Sequence, residues 1–157
     1  MEQMSSRGHV DVVLVSPDGE RQFVDGGHNT LSYGCADAVA RLFAGEVGRR
    51  PAQVVFMLGD FSLSADDPRV QGDIGIGVTQ EPVSVDPNPK FSSSSDKYTG
   101  NIVTFSAMTV DNAAEKTVYG FLLKDATGRI LATRKLDAPI TKPANYALSA
   151  TWAVTFS

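Results

Sequence analysis

Residues 145–157, NYALSATWAVTFS, decide the fold class. Tyr146, Leu148, Ala150, Trp152, Val154 and Phe156 alternate with Ala147, Ser149, Thr151, Ala153 and Thr155, and successive side chains of a strand point to opposite faces of its sheet. One face is therefore large and apolar, the other small or polar. A slip of one residue would move Trp152 and Phe156 into water, so the side chains themselves set the register.

Working outward, residues 101–109 (NIVTFSAMT) and 117–124 (TVYGFLLK) also read as strands, and DATG at 125–128 is a hairpin turn that returns the chain along 130–134. Near the start, 10–15 and 21–24 flank SPDGE, whose Pro17 and Asp18-Gly19 supply the preset and the left-handed corners of a turn. QVVFML at 53–58 is a short apolar run bounded by Pro51 and by Gly59-Asp60, which fits a buried strand. Between these segments the period changes. Leu31, Cys35, Ala38, Val39, Leu42 and Phe43 recur at steps of three and four, which predicts one amphipathic helix at about residues 30–46, capped by Asn29 or Thr30 and stopped near Gly45 or Gly48. About seven strands with one early helix predict a mainly β protein, an antiparallel β-sandwich with Greek-key or jelly-roll-like connections.

At 157 residues the chain suits a single domain. Within it, 1–8 reads as a flexible arm. Residues 60–98 are rich in Asp, Pro, Gly and Ser and read as a long loop excursion, with strand pieces only near 74–78 and 83–85. The formal net charge is -4 and the pI about 5.0, an average field that disfavours nucleic acid and anionic membranes as partners. No run of about 18 apolar residues is present, and MEQMSSRGHV has no signal-peptide core, which points to synthesis in the cytoplasm. One cysteine excludes an intrachain disulfide.

The residues that carry chemistry are scarce, and we expect no catalytic, cofactor or metal site. His28 lies beside Asp25 in DGGHNT and reads as a polar residue of a loop or helix start, because nothing stands near it at ligand spacing. Ser32 and Cys35 fall on the predicted helix, where Cys35 is needed for packing. GDIGIG, with Gly72, Gly75 and Gly77, is followed by no helix that would present amides to a phosphate, and its glycines read as bulges or close approaches. Asp60, Asp66, Asp67 and Asp73 match no EF-hand spacing and read as solvated loop carboxylates, as does the hairpin tip KDATGR.

The order of HNTLSYGCADAVARLFAG, VVFMLGD, YTGNIVTFSA, GFLLKDATGRILATRKL and LSATWAVTF resembles that of small virion structural proteins of tailed bacteriophages. The resemblance spans most of 11–156 and rests on structural motifs, so it carries no catalytic residues. It implies a non-enzymatic capsid decoration or cement protein on the head exterior, with the major capsid protein and further copies of the chain as its partners and a homo-oligomeric state. A tail-fibre or tail-attached host-recognition module is the alternative, and a carbohydrate-binding sandwich a further one. The expected partner contacts are Phe61, Asp67, Arg69, Phe91, Lys97 and Tyr98, in the polar excursion.

Overall fold

The computed structural model describes residues 6–31, 33–62, 74–75, 77–93 and 101–156. Among them, two five-stranded antiparallel sheets face each other. The first contains β1 (Ser6–Val15), β2 (Arg21–His28), β6 (Lys90–Ser93), β7 (Asn101–Met108) and β10 (Ala147–Phe156) in the order β2-β1-β10-β7-β6. The second contains β3 (Thr30–Leu31), β4 (Pro51–Met57), β5 (Gln80–Ser84), β8 (Lys116–Asp125) and β9 (Ile130–Lys142) in the order β3-β9-β8-β4-β5. The chain changes sheets between β2 and β3, β5 and β6, β7 and β8, and β9 and β10. This is the predicted antiparallel sandwich with one inserted helix, α1 (Tyr33–Phe43).

β10 sits at the centre of its sheet, between β1 and β7. Leu148, Ala150, Trp152 and Val154 are buried on its inner face, where Val10, Val12, Phe105 and Ala107 meet them from the neighbouring strands. Across the sandwich, Val54, Phe56, Phe121 and Leu123 close this core, and the Phe56 and Phe121 rings pack edge to face at 5.2 Å. The alternation at the C-terminal end is thus the periodicity of the main core.

β4 and β8 are buried on both faces. Their outward-facing Val55, Met57 and Leu122 join Phe61, Ile74 and Ile130 in a second cluster on the far side of the sheet. A continuous apolar run such as VVFML needs a cover on each side, and part of that cover comes from the start of the expected excursion. Phe61 and Ile74 are buried, so these parts of 60–98 fold back onto the sheet. Ile74 and Gly75 form a turn where a strand was expected; Gly75 and Gly77 hold φ of 78° and 79°, the left-handed region that glycine tolerates. Later in the same region β5 and β6 are regular edge strands, paired with β4 and β7.

Other boundaries also move. Ser6–Gly8 is not an arm: it pairs with Val154–Phe156. GGHNT is mostly strand, because β2 continues to His28 opposite His9 and Thr30–Leu31 joins β9 in the other sheet. That placement removes Thr30 from a helix cap. β9 runs on through DAPITK, where Lys142 is buried and its ammonium donates to the carbonyls of Asn112 (3.1 Å), Ala114 (2.8 Å) and Pro143 (3.0 Å). No helix among the described residues is long and apolar enough to cross a membrane.

Candidate interaction surface

α1 lies across one end of the sandwich, beside β9. Its inner side encloses an apolar cavity of about 120 Å³ with Cys35, Val39 and Leu42 on the helix and Val103, Leu131 and Phe156 on the strands. Burial pushes the Cys35 thiol above its ordinary pKa, which keeps it a neutral packing group.

Charges pin the helix from outside. The Asp37 carboxylate accepts from Arg41 Nε at 2.9 Å and from Arg129 Nη1 at 2.5 Å, which ties α1 to the start of β9. Burial acts to raise the Asp37 pKa, but the hydrogen bond from Arg41 and the charges of Arg41, Arg129 and Arg49 outweigh it and hold the carboxyl below its ordinary range. Arg49, in the short 3-10 turn after the helix, lies 3.7 Å from the Asp125 carboxylate. Asp125 itself is buried, contrary to the solvated tip expected for KDATGR. Its Oδ1 accepts from the amides of Thr127 and Arg129 and from the Thr127 hydroxyl, so it builds the turn from within.

The same end exposes large apolar side chains. Phe43 is 96% exposed and Val47 73%, although the helical period places Phe43 with the buried residues. Phe43 is the last residue of α1, past the point where the helix covers the strands. Phe91 is 68% exposed on the edge strand β6, directly opposite Val103 of the cavity wall. A second hollow of about 250 Å³ continues this surface between Val47, Pro51, Val85, Pro87, Pro89 and Phe105.

Of the predicted contacts, Phe91 is exposed as expected. Phe61 is not: it is 4% exposed in the second core, with the Lys135 ammonium 5.8 Å from its ring centre, because β4 and β8 need a cover on their outer face. It therefore contributes to neither a partner surface nor a sugar platform. Asp67, Arg69, Lys97 and Tyr98 lie outside the described residues, as do Ser32, Asp66, Gly72 and Asp73. Asp60 is near Lys135, with 3.4 Å between its Oδ1 and the ammonium.

The fold also assembles a polar group that linear spacing hides. His9 and His28 are direct cross-strand partners at the edge of the first sheet, with ring centres 5.6 Å apart and planes at 81°. The Asp11 carboxylate accepts from His9 Nε2 at 2.9 Å. On the inner side of the hairpin, Arg134 reaches from β9 to Asp25 Oδ2 (3.0 Å) and the His28 carbonyl (3.2 Å), linking the two sheets. Residue counting from SPDGE would set Gly27 opposite His9; a one-residue register shift between Val12 and Val13 brings His28 there instead, and the linear sequence gives no sign of that bulge.

No known protein family, characterised protein or solved structure matches the chain.

Proposed function

We propose that the chain is a non-enzymatic structural protein of a tailed-phage virion, a capsid decoration or cement protein that binds the head exterior as a homo-oligomer and stabilises contacts between capsid subunits. The observation that carries this reading is the exposure of Phe43, Val47 and Phe91: Val47 lines the hollow of about 250 Å³, Phe43 follows Leu42 of the cavity under α1, and Phe91 is the strand partner of Val103 in that cavity's wall. Exposed aromatic side chains beside a preformed hollow are the anchor type that dominates protein interfaces. The two-sheet core supports the reading by giving that surface a rigid base. The likeness of the sequence segments to small virion proteins supplies the virion context and the major capsid protein as partner.

Co-sedimentation tests it. Purified chain added to capsids that lack it pellets with the heads, and Phe43→Ser with Phe91→Ser weakens pelleting by at least tenfold. Pelleting with tails alone would favour the tail-attached reading, and pelleting with neither would overturn the virion role.

A further inference from the structure

The only two histidines of the chain stand side by side on the outer face of the first sheet. Val10 and Val12 point into the core, so His9 and Asp11, which alternate with them, point away from it. We propose that His9 and His28 form a site for a divalent transition-metal ion of the Zn²⁺, Ni²⁺ and Cu²⁺ class, with Asp11 as the group that orients His9.

The spacing fits such a chelate. With a metal-nitrogen bond of about 2.1 Å and about 1.2 Å from nitrogen to ring centre, each ring centre lies about 3.3 Å from the metal. Two ring centres 5.6 Å apart then subtend roughly 120° at the ion, close to tetrahedral. The rings now meet edge to face; with the His9 ring held by Asp11, it is the His28 ring that turns about χ2, a broad torsion for histidine, to bring its nitrogen toward the free His9 Nδ1 side without moving the strands. His28 is exposed and His9 half-exposed, so both rings are reachable from solvent.

Asp11 adds the second feature. By accepting from His9 Nε2–H it fixes the tautomer whose lone pair is on Nδ1, the arrangement by which an outer carboxylate prepares an imidazole for metal. The half-exposed carboxylate lies over Gly26, where a Cβ would fall 2.8 Å from Asp11 Oδ1 and 2.7 Å from the Phe23 ring, so the absence of a side chain there leaves room for it. Among the described residues no group of three or more His, Cys, Asp or Glu side chains gathers to hold a metal. Since no other described residue fills the remaining coordination positions, the proposed site takes them from water or from a second copy of the chain.

The test is calorimetric titration of the full chain with ZnCl₂ and NiCl₂ at neutral pH, followed by NMR of the imidazole resonances. The expected result is one ion per chain, or one per two chains where a second copy completes the shell, with shifts centred on His9 and His28. His9→Gln and His28→Gln each weaken binding by at least tenfold, and Asp11→Asn by about tenfold. Far-UV circular dichroism of each variant without metal verifies that the fold is retained. Absence of binding to the wild-type chain, or unchanged affinity in the folded His28→Gln variant, overturns the proposal and leaves the pair as a cross-strand aromatic contact.

Discussion

Lys142 shows how a residue in an apparent loop governs the fold. Its ammonium sits among the carbonyls of Asn112, Ala114 and Pro143, so one buried side chain ties the segment between β7 and β8 to the end of β9. Burial, together with the neighbouring Lys116, lowers its pKa from the ordinary lysine value. Lys142→Met leaves those carbonyls without their donor and should cost roughly 3 kcal/mol, read as a lower urea midpoint at neutral pH. A change under about 1 kcal/mol would mean that the carbonyls find other donors. Asp37 gives a pH-dependent counterpart. Its folded pKa lies below the ordinary value of 3.8, so its contribution to stability is present above that pH and is lost as pH falls through the folded value. Urea unfolding of Asp37→Asn should show the variant less stable than wild type at neutral pH, with the gap closing in acid. A gap that widens in acid would contradict the assignment.

At the scale of elements, strands with one clear face were legible in the sequence. β10, β8, β7 and β4 fall close to where alternation or an apolar run puts them, because burial of one or both faces dictates those patterns. β3, β5 and β6 were not legible as full strands, since short edge strands carry few side chains into a core, and Pro82 in β5 is a typical edge residue. The second half of β9 was hidden for the same reason, with Asp137, Ala138 and Pro139 all exposed. The helix was read in place but too long at both ends, because Thr30–Leu31 joins β9 and the chain turns at Ala44–Gly45; Phe43, the last residue of its period, is exposed beyond the strands that the helix covers. Phe43→Ser should therefore change stability by less than about 0.5 kcal/mol in thermal unfolding while weakening particle binding. A large loss of stability would put Phe43 in the fold rather than the interface.

For the whole molecule, two apolar layers matter: the core between the sheets and the smaller cluster outside β4 and β8. The first follows from periodicity, whereas the second depends on where Phe61 and Ile74 return after leaving the sheet, a tertiary event that no local pattern encodes. Phe61→Ala should cost about 3–5 kcal/mol by opening the outer cluster. Hydrogen exchange in that variant should rise first in β4 and in residues 58–62, ahead of β1 and β10. Uniform exchange across both sheets would instead make the two layers one cooperative unit. Of the candidate surface, Phe91 could be read from the sequence; Phe43, Val47 and the His9–His28 pair required the assembled fold.

The central claim is that the apolar end carrying Phe43, Val47 and Phe91 docks this sandwich on a phage head. Cryo-EM of intact particles containing the chain tests it most directly. The account predicts density for the two-sheet sandwich on the capsid exterior, with the α1 end facing the major capsid protein. Heads without that density, or a docked sandwich whose α1 end faces solvent, would contradict it.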